Sequence, residues 1–156
     1  MGWSYEEFEV GRSVVTQGRT VTEADIGNFA GVTGDFNPLH TDEVYARSTD
    51  FGGRIAHGPM VIGIAFGLGS RAGLLDETVL GLLGVRWTFK APVRAGDTLR
   101  VAITVLDARE TKKPDRGVVS LRMVVRNQHG ADVQVGECEL MVKRAARSAA
   151  PRKGSG

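Results

Sequence analysis

Residues 59–73 read PMVIGIAFGLGSRAG and predict a helix that is apolar on every face. Pro59 suits the first turn, where its missing N–H would have no partner, and Gly73 suits the position after the last turn. The 13 residues between them would form about 20 Å of helix. Such a helix has no face to offer to solvent, so we expect the rest of the chain to enclose it.

The sequence after this helix predicts the strands that enclose it. Apolar and polar residues alternate with the period of a half-buried strand in four segments, 85–89, 99–105, 119–125 and 133–142. A charged connection is expected at 107–117. In the last segment the apolar positions change parity, which predicts a β-bulge near Gly136. With a further strand at 13–21, we predict an α+β fold in which an antiparallel sheet of about five strands wraps around the central apolar helix.

A shorter helix is predicted over 23–33. Thr22 is a suitable N-cap because Asp25 follows it by three residues, as in a capping box. Pro38 prevents the next segment from continuing this helix, since it lacks an N–H and restricts the residue before it. A second short helix is expected to start near Asp42.

Composition and charge limit the class of protein. The 156 residues, 42% of them hydrophobic, suit one domain, which we expect over 1–146, with a disordered tail at 147–156. Five of the 20 basic residues lie after the last acidic residue, Glu139, so the preceding chain is net acidic and does not predict a nucleic-acid-binding surface. The 16 uncharged positions at 55–70 are fewer than the ~20 that span a membrane. One cysteine and no secretory leader predict a cytoplasmic protein.

The segment DFNPLH, residues 35–40, is the first candidate site. It places the carboxylate of Asp35 and the imidazole of His40 five residues apart across a rigid bend. Such a pair can share one water, one group accepting a proton and the other donating one. The alternative is structural: Asp35 would accept hydrogen bonds from the turn, and His40 would support the next helix start.

The second candidate site is HGP, residues 57–59, at the start of the central helix. A helix N-terminus presents unpaired N–H groups and a partial positive charge. Because Pro59 has no N–H, Gly58 offers a nearby donor, and glycine lets a substrate carbonyl approach the backbone, as an oxyanion site requires. The alternative is a simple loop-to-helix junction in which His57 bonds a backbone group.

Other motifs indicate neither a metal nor a cofactor. The segment GLGSRA at 67–72 matches a dinucleotide-binding pattern, but it lies within a predicted helix instead of opening one after a strand. The three histidines and Cys138 show no metal-ligand spacing, and no GxSxG elbow occurs. We therefore expect no metal ion and no cofactor.

Together the two candidate sites resemble the MaoC-type acyl dehydratases, which include the (R)-specific enoyl-CoA hydratases. DFNPLH matches that family's hydratase motif, IAHG at 55–58 matches the start of its central helix, and FKAPVRAGD at 89–97 resembles its next recurrent stretch. The resemblance implies a hot-dog fold, usually as a homodimer. It also implies that the substrate is an acyl thioester of coenzyme A or of an acyl carrier. Coenzyme A would then be part of the substrate and not a separate cofactor.

The resemblance implies roles for individual residues. Asp35 and His40 would be the catalytic pair for adding water to a 2-enoyl thioester or removing it, and Gly58 would be the oxyanion donor. Asn37 would hold the loop of the pair in shape. The residues that we assign to substrate binding are Asn37, His57, Gly63 and Phe66.

Three positions depart from the family pattern. Pro59 stands where members commonly have Met, and Gly63 and Phe66 stand where many hydratases carry a hydroxyl residue. One hypothesis is that Gly63 leaves room for the acyl chain while the Phe66 ring closes the pocket a turn further on, which favours short acyl groups. Alternatively, Phe66 is a core residue that faces the sheet.

Two other functions remain open from the sequence. A hot-dog thioesterase would direct water at the thioester carbonyl, using the same oxyanion donor. A non-catalytic acyl-binding subunit would explain the departures on the central helix. The intact pair of Asp35 and His40 argues against both.

Overall fold

The computed structural model describes residues 2–145, and the predicted tail at 147–156 lies outside them. After a 3₁₀ turn at Tyr5–Glu7, the helices are α1 (Glu23–Thr33), α2 (Pro38–Thr41), α3 (Glu43–Arg47) and α4 (Gly58–Arg71). The strands are β1 (Ser13–Val15), β2 (Arg19–Thr20), β3 (Val79–Phe89), β4 (Thr98–Glu110), β5 (Arg116–Arg126) and β6 (Asp132–Lys143).

The strands form one antiparallel sheet in the order β1-β4-β5-β6-β3, with β2 also paired to β4. Buried side chains of α4, among them Val61 and Ala65, share one core with inward residues of β4, β5 and β6 such as Leu99, Leu121 and Leu140. The α+β prediction is confirmed, although the strand predicted at 13–21 is divided into β1 and β2, so the sheet has six strands.

The enclosure of α4 is one-sided within the described chain. The face that carries Val61, Ala65 and Leu68 is buried against the sheet, whereas Gly63 and Gly67 on other faces are exposed. Helix α4 therefore keeps apolar surface that residues 2–145 do not cover. Among residues 2–145, no helix combines the length and apolar character needed to cross a membrane.

The β-bulge predicted near Gly136 is wrong. The register of β6 against both β3 and β5 is continuous from Gln134 to Cys138. The inward positions there are filled by Gln134 and Gly136, so an amide and a glycine interrupt the apolar pattern without changing the parity of the strand. Glycine is required at position 136 because the Trp87 ring of the paired strand occupies the space of a side chain.

The charged connection predicted at 107–117 is shorter than expected. Strand β4 continues to Glu110 and β5 begins at Arg116, with a register shift between Val105 and Asp107. The connection keeps three of the charged residues, Lys112, Lys113 and Asp115. The others belong to the strands, and among them Arg109 of β4 pairs with Glu139 of β6 at 2.7 Å. Polar character alone therefore misplaced the ends of these two strands.

Candidate active site

The segment between α1 and α4, residues 34–57, is called here the site loop. It begins at Gly34, which ends α1 in the left-handed region with φ of 76°. The Gly34 N–H donates a hydrogen bond to the carbonyl oxygen of Ala30. Asn37 then caps α2, because its side-chain oxygen accepts a hydrogen bond from the Leu39 N–H at 3.0 Å. This turn folds the chain back so that Asp35 and His40 face the same space.

Asp35 and His40 lie together at the protein surface. Ligand atoms of their side chains and of His57 are all within 4.8 Å of one another. Asp35 is exposed, and its carboxylate also accepts a hydrogen bond from the Asn37 N–H at 3.2 Å. His40 is half-buried, and its Nδ1 lies 2.7 Å from the carbonyl oxygen of Ile55. Since a carbonyl only accepts, Nδ1 carries the hydrogen, and Nε2 of neutral His40 keeps its lone pair for a water or a substrate.

His57 precedes α4 and lies beneath the pair. Its side chain is buried, its Nε2 lies 3.0 Å from the backbone oxygen of Asp35, and its ring stacks on His40 with centroids 3.8 Å apart. The structure therefore brings Asp35, His40 and His57 into one cluster and connects both ends of the site loop.

Gly58 is the first residue of α4, so its N–H has no acceptor within the helix. A Cβ at this position would lie 2.7 Å from the Phe89 ring, which explains the need for glycine. The neighbouring cavity of about 340 Å³ is lined by Gly58, Phe89 and Lys90, among others. Gly58 therefore borders this cavity at the end of α4 that leaves backbone N–H groups without helical acceptors.

Sequence reasoning missed Gln134, which anchors the start of α4 to the sheet. Its buried amide donates to the Gly58 carbonyl at 3.2 Å and accepts from the Trp87 indole N–H at 2.8 Å. The available signal was a polar residue beside apolar positions of a strand, since a buried amide needs partners on both sides.

Sequence reasoning also missed Arg54, which holds the end of the site loop. Its guanidinium bonds both carboxylate oxygens of Glu23 at 2.8 and 3.0 Å, and its Nε bonds Glu43 at 3.0 Å. These partners raise the pKa of Arg54, and hydrogen bonds from Arg47 and Arg54 lower the pKa of Glu43. The ion pairs join α1, α3 and the approach to α4.

The structure separates Gly63 from Phe66. Gly63 faces a groove of about 680 Å³ between α1 and α4, with Phe29 and Met60 near its end at the site loop. Phe66 is half-buried on another side of α4, where its ring lies 6.4 Å from the Trp87 ring. The lining of the groove within the described chain includes Gly63 and not Phe66.

The cluster of Asp35, His40 and His57 has the proximity that a metal site requires. The two imidazoles, however, are stacked with only 29° between their planes. Their in-plane lone pairs therefore run side by side and do not converge on a point about 2.1 Å from both nitrogens. Burial raises the pKa of the Cys138 thiol to about 12, so this residue is not a thiolate ligand or nucleophile.

An antiparallel sheet packed on one central helix is the hot-dog fold. The chain superposes on the MaoC-like dehydratase from Rhodospirillum rubrum with a TM-score of 0.81 and 33% identity, covering 92% of this chain and 99% of that one. A family model described as "MaoC like domain" matches residues 7–127. The protein belongs to the MaoC-like dehydratase family.

Two curated relatives support this membership. An (R)-specific enoyl-CoA hydratase from Rhodospirillum rubrum is 39% identical over 110 residues, covering 70% of this chain and 74% of the relative. Protein MaoC from Klebsiella aerogenes is 40% identical over 113 residues, covering 72% of this chain. That match spans only 32% of the length of Protein MaoC.

Proposed function

We propose that this protein adds water to the double bond of a 2-enoyl-CoA thioester, or removes it from the 3-hydroxyacyl-CoA product. The observation that carries the proposal is the cluster at the site loop. Asp35 and His40 lie within reach of one water, and Nε2 of His40 is left free by the hydrogen bond of Nδ1 to Ile55. Family membership favours the same reaction, since relatives carry hydratase and dehydratase names.

The proposed chemistry needs three groups. The N–H of Gly58 donates to the thioester oxygen, which gains negative charge as water attacks C3. Asp35 and His40 hold that water, remove one of its protons and deliver a proton to C2 on the same face. The pair shares one site, so the two proton transfers belong to the pair and not to separate residues. No metal or cofactor takes part, and coenzyme A is a portion of the substrate.

The proposed acyl site runs from Gly58 along α4. A Cβ built at Gly63 meets no atom within 4 Å, so this position leaves space beside the helix. Phe66, one turn of helix further from Gly58, fills space toward β3. If Phe66 limits the length of the acyl chain, the chain must run along the side of α4 that faces β3. If Gly63 makes room for the acyl chain, the chain must run along the side that faces α1.

A second copy of the chain is the proposed partner, bound at the free edge of β3. Within the described chain β3 pairs only with β6. An open strand edge that carries apolar side chains favours pairing with another strand. The exposed apolar residues of β3 are Leu80, Leu82, Leu83, Val85 and Phe89. Pairing here would also bring a second chain near Phe66 and Gly58 through Trp87 and Phe89.

The experiment that tests the function is incubation of the purified protein with crotonyl-CoA. A hydratase removes the ultraviolet absorbance of the enoyl thioester without releasing thiol, and this is the expected result. Release of thiol would identify a thioesterase instead. Binding without either change would identify a non-catalytic acyl-binding subunit.

A further inference from the structure

His57 is the most buried polar ring of the site, with 1% of its surface exposed. Besides stacking on His40, it contacts Phe29 of α1, with ring centroids 4.9 Å apart. A ring enclosed on these sides has little surface left for a substrate. A buried imidazole loses its hydrogen bonds to water and needs partners in the protein instead. The role of His57 therefore depends on those partners.

The hydrogen bonds of His57 fix its tautomer. Nε2 faces the Asp35 carbonyl oxygen at 3.0 Å, and this oxygen can only accept, so Nε2 carries the hydrogen. Nδ1 is buried and has no hydrogen-bond partner among the described residues. A second hydrogen on Nδ1 would be a buried donor without an acceptor, which is costly, so the neutral ring fits this environment. The N–H of Nε2 is occupied by the Asp35 carbonyl, and the buried ring presents no other hydrogen to a substrate.

We infer that His57 is a positioning residue, acting through Asp35 and His40 and not through contact with substrate or water. Its N–H fixes the backbone of Asp35, and its ring face sets the plane of the His40 ring, whose other constraint is the bond to Ile55. The inference rests on the proposed function, and it replaces the assignment of His57 to substrate binding that the sequence suggested.

Two substitutions separate the contributions of His57. His57→Phe keeps an aromatic ring and removes the hydrogen bond, whereas His57→Gln keeps a donor and removes the ring. With crotonyl-CoA, we expect kcat of His57→Phe to fall by about 10- to 100-fold, the scale of a displacement of up to 1 Å, with little change in KM. We expect His57→Gln to recover part of this loss. Val119→Ala, in the core on β5, is the control for lost stability and should keep its kcat.

A second measurement does not depend on turnover. In ¹⁵N-labelled protein, the ring shifts of His57 should show the neutral form with hydrogen on Nε2. His57→Phe should move the His40 ring resonances and the Asn37 amide more than Val119→Ala does. An inactive wild type would reject the proposed function, whereas unchanged His40 and Asn37 resonances in His57→Phe would reject the positioning of these groups by His57.

Three results would overturn the inference. The first is a His57→Phe protein with normal kcat and a lowered melting temperature, which shows a structural role only. The second is a raised KM at unchanged kcat, which shows a contact with substrate. The third is a ring of His57 that is charged or carries its hydrogen on Nδ1.

Discussion

The sheet and the site loop are stabilised in different ways. In β5, the side chains of Val119, Leu121, Met123 and Val125 are almost fully buried. In the site loop, Asp35 is exposed, and so are the apolar side chains of Phe36 and Val44. The loop depends on hydrogen bonds and ion pairs between residues far apart in sequence. Substitutions in the sheet should therefore change stability, and substitutions in the loop should change turnover.

The largest effect is expected for the catalytic pair. Asp35→Asn and His40→Ala should each lower kcat for crotonyl-CoA by about 10²–10⁴-fold, because each removes one positioned acid–base group. Both residues are partly or fully exposed, so the melting temperature should change little. Steady-state kinetics and thermal unfolding of the same samples check both parts. Near-normal hydration by either folded variant would remove the assigned mechanism.

The sheet supplies the opposite case. Leu121→Ala should lower the free energy of unfolding by about 2–5 kcal/mol, since Leu121 is 1% exposed and the deletion leaves a cavity in the core. The kcat of the folded fraction should stay close to that of the wild type. Urea unfolding and kinetics below the unfolding transition measure these quantities. A large loss of kcat at full folding would show that the sheet and the site are coupled.

An intermediate effect is expected for Arg54, which connects the site loop to α1 and α3. Arg54→Met should lower kcat by about tenfold, less than the ~10² that a 1 Å misplacement can cost. Because exposed ion pairs contribute little to stability, the melting temperature should fall by no more than about 2–4 °C. Arg47→Met is the matched control, since Arg47 pairs with Glu43 but not with Glu23. Equal kinetics of the two variants would exclude a role for this connection.

The smallest effect is expected at Phe66. If its ring limits the acyl chain, Phe66→Ala should raise kcat/KM for longer enoyl thioesters by about fourfold per added methylene, from burial of about 0.8 kcal/mol each. Gly63→Leu is the variant to compare with Phe66→Ala, because position 63 lies on the other side of α4, where space is open. A series of enoyl-CoA chain lengths provides the measurement. An unchanged profile with a loss of about 3–5 kcal/mol in stability would identify Phe66 as a core residue.

Short-range signals allowed much of the fold to be predicted from the sequence. Thr22 and Asp25 form the predicted capping box of α1, and Pro59 lies in the first turn of α4 as expected. The turn at Pro38 likewise follows from local chemistry and brings Asp35 and His40 together. Each of these features depends on residues within one or two helical turns.

The remaining features depend on partners distant in sequence. His57 bonds Asp35, which lies 22 residues before it, and Gln134 bonds Gly58 across 76 residues. A single sequence gives no sign of which buried polar group meets which. For that reason neither the two hydrogen bonds of Gln134 nor the links of Arg54 to α1 and α3 could be predicted.

The most direct test of the account is a double-mutant cycle of Asp35→Asn and His40→Ala, measured as kcat for the hydration of crotonyl-CoA. If the two side chains act as a unit on one water, the double variant should be about as slow as the slower single variant. The first substitution already abolishes the joint function of the pair, so the second causes little further loss. Losses that multiply would show that Asp35 and His40 act independently, which would contradict the shared-water mechanism.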